Sequence, residues 1–132
     1  MFPRIGTFDI VAEGDVIHVR STPQFNLEAV QEYSAKVSEV ITHMPQRFGI
    51  LAEFENPPIV GPEVEQAMRE TSRQRAARGL AAVAFVTPGH DGQKIAIGQW
   101  HRIYDPLGIA FAFFDDVESA RTWLLAKIKS DA

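Results

Sequence analysis

Three short apolar runs constrain the fold of this chain more than any other feature of its sequence. They extend from Phe48 to Phe54, from Leu80 to Val86 and from Ile109 to Phe114, and Glu53 is the one charged residue among them. A run of about four to eight residues that is apolar on both faces is typical of a strand covered on both sides in a parallel sheet. None approaches the roughly 20 residues needed to cross a bilayer, so we expect no membrane span.

Helical patterns separate these runs. Apolar residues recur at spacings of three and four from Leu27 to about His43, and Asn26 before them is the expected N-cap. A second helix is predicted to begin at Pro62, a residue favoured in the first helical turn. It is predicted to end at Gly79, a residue favoured just after the last helical position.

Two further helices and a hairpin complete the pattern. The third helix contains Trp100 and lies between the second and third runs. The fourth follows the third run, where Asp115 and Glu118 have the spacing of a capping box and Asp115 is the expected N-cap. Near the start of the chain, residues 5–12 and 15–21 alternate apolar and polar side chains around a short turn, which predicts an antiparallel hairpin.

The resulting element order is β-β-α-β-α-β-α-β-α, which predicts a single α/β domain over residues 1–132. Alternating strands and helices imply a mostly parallel five-stranded sheet with four helices packed on it. The N-terminal hairpin adds one antiparallel strand. A chain of 132 residues is long enough to bury a core of its own.

The composition argues against several classes of protein. The net charge of -4 disfavours a nucleic-acid binder, which needs a strongly basic face. The chain has no cysteine, which excludes disulfides and thiolate chemistry, and its four histidines lack the spacing of a metal site. It has neither a P-loop nor a dinucleotide-binding motif, so we expect no cofactor. Its first residues lack a secretory signal pattern, and we expect a cytoplasmic protein.

Two segments resemble a known family. The second predicted strand reads Gly-Asp-Val-Ile-His-Val-Arg over Gly14–Arg20, and residues 113–116 read Phe-Phe-Asp-Asp, followed by Ala120, Trp123 and Leu124. Together with the element order, they resemble the SpoIIAA-like (STAS/SEC14-type) family of small bacterial domains. The resemblance implies a STAS-like fold and a non-enzymatic binding or regulatory module that recognises a protein partner or a small apolar ligand.

The same resemblance bears on the loop after the central strand. Sporulation antagonists with this fold are controlled by phosphorylation of a serine at the start of the following helix. No serine or threonine lies between Phe48 and Ala67 here, so we expect no phosphorylation site. STAS-like domains engage partners through this region, which implies Asn56, Ile59 and Val60 as candidate contacts.

Two titratable residues are further candidates. Glu53 lies near the carboxyl end of an apolar central strand, where ligands bind in open α/β sheets. His90 lies in the loop after the next strand, so an enzyme that uses Glu53 and His90 as a carboxylate–histidine pair is one alternative. In the other interpretation, Glu53 is exposed at the strand end or pairs with an arginine, and His90 is a solvated loop residue.

Four arginines cluster in the second half of the second predicted helix, namely Arg69, Arg73, Arg75 and Arg78. Guanidinium groups suit an anionic partner or a phosphate. The simpler interpretation is sufficient: acidic residues near the start of a helix and basic residues near its end complement the helix dipole.

Aromatic residues suggest a third hypothesis. If Trp100 and Ile103 face the core, His101 and Tyr104 lie toward a flank that can line a pocket or a dimer contact. The family resemblance, through the relation of this fold group to lipid-transfer domains, and the aromatic strand at residues 111–114 together suggest a carrier of a lipid or another small molecule, which requires an apolar cavity. The oligomeric state stays open, with a homodimer among the alternatives.

Overall fold

A computed structural model describes residues 8–21, 27–54, 60–87 and 93–130 of the chain. It confirms the predicted order of five strands and four helices. The predicted N-cap Asn26 lies outside the described residues. The elements are β1 (Phe8–Glu13), β2 (Val16–Ser21), α1 (Leu27–Ile41), β3 (Phe48–Phe54), α2 (Pro62–Arg78), β4 (Leu80–Val86), α3 (Gln93–Tyr104), β5 (Ala110–Phe114) and α4 (Val117–Lys129).

The five strands form one sheet whose spatial order is the same as their order in the chain. β1 pairs with β2 in antiparallel orientation, and the following pairs β2–β3, β3–β4 and β4–β5 are all parallel. The hairpin turn contains Gly14 with a φ of 63°, a left-handed conformation that glycine adopts without strain. The predicted antiparallel edge and parallel remainder are therefore confirmed.

Three helices cover one face of the sheet and one helix covers the other. α1, α2 and α3 each connect a strand to its next parallel neighbour, always stepping in the same direction across the sheet. Because such crossovers are right-handed almost without exception, three steps in one direction put all three helices on the same face. α4 packs on the opposite face, mainly against β3 and β4.

Each face has its own apolar core. Under α1, α2 and α3, the core includes Ile50 and Phe85 from the two central strands and Trp100 from α3. Under α4, a smaller core contains Leu51 and Leu124. The alternation of neighbouring strand residues between two buried faces explains why β3 and β4 are apolar almost throughout.

The strand β5 departs from one expectation. Its sequence predicts a strand covered on both faces, but all five of its residues are only half-buried. The reason is its position, because β5 pairs with β4 alone and lies at the edge of the sheet. Its phenylalanines are partly covered by α3 on one face and by α4 on the other.

The start of α4 is a second correction. The expected N-cap was Asp115, but the carboxylate of Asp116 accepts the backbone N–H of Ser119 at 2.7 Å. The hydroxyl of Ser119 also lies 3.1 Å from the second oxygen of Asp116. α4 therefore begins one residue later than the spacing of Asp115 and Glu118 predicts. Both registers put an acidic residue before a helical run, so the sequence pattern alone does not separate them.

In the part of the chain that the structure describes, no helix combines the length and the apolar character needed to cross a membrane.

Candidate ligand site

The arginine cluster of α2 is divided by the structure into four different environments. Nη2 of Arg69 lies 2.9 Å from the carboxylate of Glu65, and Arg73 pairs with Glu70 on the helix surface. Arg78 donates hydrogen bonds to three carbonyl oxygens near the end of α1, those of Ile41, Met44 and Pro45. These three arginines therefore have structural partners.

Arg75 differs from the other three because it is buried. The residue is only 4% exposed to solvent. The Nε and Nη2 atoms of its guanidinium have no hydrogen-bond partner among the described residues. None of the ion pairs formed by these residues includes Arg75. Among the four arginines of this cluster, Arg75 is therefore the buried one, and the described residues give it no ion pair.

The position of Arg75 on α2 explains its burial. Val64, Met68, Ser72 and Arg75 are the buried residues of this helix. They are spaced by four, four and three residues, so they form one stripe along the helix and this stripe faces the sheet. Arg75 occupies a position where the sequence pattern calls for an apolar side chain.

Arg75 lines a cavity between the sheet and the three helices of its larger core. The space open to the centre of a water molecule is about 30 Å³, and the whole empty volume between the lining atoms, which includes open solvent, is about 460 Å³. The smaller volume holds about two water molecules. The lining residues are Tyr33, Ile50, Ala52, Phe54, Val60, Met68, Arg75, Val83, Phe85, Trp100 and Tyr104.

Aromatic rings form much of the cavity wall, with Phe85 of β4 at their centre. The Phe85 ring centroid lies 5.3 Å from that of Trp100, 6.0 Å from that of Phe54 and 6.4 Å from that of Tyr104. On the other side, Phe113 of β5 stacks on Phe85 at 4.8 Å. These tilted and stacked contacts give the cavity a rigid apolar wall.

Two further polar groups are buried beside Arg75. Burial raises the pKa of the Tyr104 phenol well above its usual range, and the positive charge of Arg75 opposes this rise. Ser72 is fully buried, and its hydroxyl lies near the Tyr104 phenol without a partner at hydrogen-bonding geometry. The guanidinium carbon of Arg75 lies 5.7 Å from the centre of the Tyr33 ring.

Side-chain hydrogen bonds connect α3 to α2 and to Val60 at the border of the cavity. The amide of Gln99 in α3 accepts the backbone N–H of Val60 at 2.9 Å and donates to its carbonyl oxygen at 2.6 Å. The carboxylate of Glu65 in α2 binds Arg102 of α3 through two hydrogen bonds of 2.9 and 3.2 Å. Hydrogen bonds from Arg102, and then from Arg69, lower the pKa of Glu65.

Glu53 has a partner that the sequence reasoning did not identify. Its Oε2 atom lies 2.5 Å from Nε2 of His18 on the neighbouring strand and 3.7 Å from Nε of Arg20. His18 also lies 3.5 Å from Arg121 of α4, which pairs with Glu13. This polar cluster occupies the α4 face of the sheet, opposite the cavity, and its members neutralise one another.

The remaining candidates of the sequence analysis have different outcomes. Val60 is 5% exposed and lines the cavity. Asn56, Ile59 and His90 lie outside the described residues, so their roles stay predictions. Within the described ranges, no three His, Asp or Glu side chains are grouped so that they could hold a metal ion.

Tyr104 and His101, which the sequence analysis placed on one flank of α3, lie in different environments. Tyr104 lines the cavity with Trp100, whereas His101 is exposed, lies 4.9 Å from the Phe111 ring and 3.0 Å from Asp105. Arg75 was not singled out by the sequence analysis. Its helical spacing from Met68 and Ser72 is compatible with a buried position, but the three other arginines nearby make the sequence pattern ambiguous.

Comparisons of the chain with protein-family models and with curated proteins returned no match.

Proposed function

We propose that this protein is a non-enzymatic binding module, of the SpoIIAA-like type suggested by its sequence, whose ligand is a small and largely apolar molecule held in the cavity under α1, α2 and α3. The observation that carries the proposal is a cavity walled by aromatic rings that contains a buried arginine with unpaired nitrogens. An apolar cavity with a few polar groups is the usual form of a small-molecule site.

The size of the cavity favours a small ligand over a long lipid chain. The space open to the centres of water molecules is about 30 Å³, enough for about two of them. A compact group fits inside, and the rest of the ligand extends through the mouth. A carrier of long lipids needs a larger enclosed volume.

The position of Val60 supports the same interpretation of the loop before α2. Val60 is buried against the cavity, and Gln99 holds both of its backbone polar groups. Val60 therefore forms part of the wall of the ligand site. A residue that contacts an external protein partner would need an exposed side chain.

The proposal also separates the cavity from the Glu53–His18 pair. The two features lie on opposite faces of the sheet, because neighbouring residues of β3 such as Ala52 and Glu53 point in opposite directions. A substitution at Glu53 therefore tests whether ligand binding depends on the polar cluster or on the cavity.

Native mass spectrometry of the gently purified protein, compared with its denatured mass, is the first test. We expect a retained small-molecule mass in the wild-type protein and in E53Q. We expect its loss in A52V, because valine adds two carbon atoms to a cavity that holds about two water molecules. Ala52 is 2% exposed and lines the cavity, so the substitution acts there directly.

The proposed function is wrong if native mass spectrometry shows only the ligand-free mass and a titration shows that neither benzoate nor benzamide binds. That result would direct the search to a protein partner. Loss of the retained mass in E53Q but not in A52V would move the site to the opposite face of the sheet.

A further inference from the structure

We infer that the cavity recognises a small organic carboxylate, and that Arg75 binds the carboxylate group through Nε and Nη2. The inference rests on the proposed function and adds the chemical class of the ligand and the residue that selects it. It depends on three observations, which are the burial of a charge without a partner, the geometry of its free nitrogens and the character of the surrounding wall.

A buried guanidinium without an anion is strongly unfavourable. Arg75 is 4% exposed, and an arginine side chain stays protonated at every pH relevant to a protein. A group of this kind is buried at a large cost unless a negative charge accompanies it. The described residues supply no carboxylate to Arg75, so a bound anion is the partner that completes the site.

The two free nitrogens of Arg75 match the shape of a carboxylate. Nε and Nη2 lie on the same edge of the guanidinium, and their N–H bonds point in parallel. Two parallel N–H donors bind the two oxygens of a carboxylate in a bidentate pair, which is the strongest arrangement available to arginine. The guanidinium carbon lies over the Tyr33 ring at 5.7 Å, and Nε and Nη2 have no hydrogen-bond partner among the described residues.

The wall of the cavity selects the rest of the ligand. Apart from Arg75, the residues that line the cavity are aromatic or apolar, and the polar atoms of their side chains are the hydroxyls of Tyr33 and Tyr104 and the indole nitrogen of Trp100. One fixed positive charge balances one negative charge, so a monoanion is preferred to a multiply charged phosphate. The aromatic wall suits an apolar body attached to the carboxylate.

The neighbouring arginines show that a structural role leaves a different pattern. Arg69 and Arg73 pair with carboxylates of their own helix, and Arg78 binds carbonyl oxygens. Each of them has at least one ion pair or hydrogen bond and is more exposed than Arg75. Arg75 is the most buried of the four, and two of its buried donors have no partner among the described residues, which is the pattern of a ligand-binding residue.

The test is a fluorescence titration in a W123F background. The chain has two tryptophans, so this substitution leaves Trp100 in the cavity wall as the reporter. Benzoate and benzamide are the probes, because they have nearly the same shape and differ in charge. The variants are R75M, which keeps the unbranched stem of the side chain and removes the guanidinium, R75K, which keeps the charge, and R73M. Arg73 lies on the exposed side of the same helix, and R73M changes the net charge by the same amount.

We expect benzoate to change Trp100 fluorescence with an affinity at least tenfold higher than that of benzamide. R75M should weaken benzoate binding about ten- to a hundredfold, as expected for the loss of charged hydrogen bonds. R75K should give an intermediate loss because it lacks the second parallel donor, and R73M should have no effect. Benzamide binding should not weaken in R75M.

Equal binding of benzoate and benzamide, or unchanged benzoate binding in R75M, would overturn the inference while leaving the proposed function in place. Displacement of benzoate by an equal concentration of inorganic phosphate would also overturn it, because the site would then be a general anion site. Binding of neither probe, with no retained mass, would overturn both.

Discussion

The guanidinium of Arg75 packs on the ring of Tyr33, with 5.7 Å between the guanidinium carbon and the ring centroid. This contact joins α2 to α1 across the cavity, and it holds a positive charge within an apolar core. A cation–π contact of this kind contributes about 0.5 to 2 kcal/mol. It offsets part of the cost of burying the charge and leaves two nitrogens for a ligand.

In the ligand-free protein, we expect R75M to raise the free energy of unfolding by about 1 kcal/mol or more. Apolar replacements of buried charged groups are often neutral or stabilising, by up to about 4 kcal/mol. Urea unfolding of R75M, with R73M as the control, measures the effect, and R73M should change stability by less than about 0.5 kcal/mol. A loss of more than about 1 kcal/mol in R75M would mean that Arg75 stabilises the fold.

Saturating benzoate should stabilise the wild-type protein against urea but leave R75M unchanged. A ligand that binds the folded state alone raises stability in proportion to the logarithm of its concentration relative to its Kd. Equal stabilisation of both proteins by benzoate would show that the ion does not bind at Arg75.

Stability should fall at alkaline pH because of Tyr104. The pKa of this phenol is raised in the folded protein above its unfolded value of about 10, so the folded state holds a proton that the unfolded state releases. Its contribution is fully present below pH of about 10 and is lost as the pH rises above that value. Urea unfolding at pH 9 and pH 11 should show a smaller loss in Y104F than in the wild-type protein. Equal losses in the two proteins would exclude Tyr104 as the cause.

The N-cap of α4 gives a direct comparison of two adjacent residues. We expect D116A to lower the free energy of unfolding by about 1 kcal/mol, because it removes the acceptor of the Ser119 N–H. D115A should change it by less than about 0.5 kcal/mol. Thermal or urea unfolding of the two variants measures both values, and a larger effect in D115A would restore the register expected from the sequence.

The glycine after α2 should be strictly required. Gly79 has a φ of 133°, and a Cβ added there would lie 1.8 Å from the carbonyl oxygen of Gln46. We expect G79A to lower the free energy of unfolding by at least about 3 kcal/mol, because strain and a backbone clash combine. G61A is the control, since Gly61 has an extended conformation and open space at the position of a Cβ. A mild effect of G79A would show that the turn can shift without cost.

The strand and helix order follows from periodicity, which is a local property of the sequence. The bounds of β3 and β4 agree with their apolar runs, and α2 begins at Pro62 and ends before Gly79 as predicted. Side chains covered on both faces leave a continuous apolar signal, and proline and glycine mark the helix ends through their backbone preferences. These features need no knowledge of distant residues.

Tertiary structure decided the features on which the proposed function rests. The sequence contains four similar arginines in one helix, and only the packing of α2 on the sheet determines that Arg75 is inside and Arg73 outside. In the same way, the pairing of Glu53 with His18 depends on the parallel register of β2 and β3. The sequence pattern does not distinguish four arginines of one helix from one another, and it does not show which residues from distant parts of the chain come into contact.

The sequence by itself therefore determined the α/β architecture, the central strands and the apolar character of the core. The tertiary structure decided that β5 is an edge strand, that α4 is capped by Asp116 and that the aromatic rings enclose a cavity around Arg75. The physical reason is that periodicity reports which faces of an element are apolar. The way those faces meet depends on packing, and a cavity exists only where they meet incompletely.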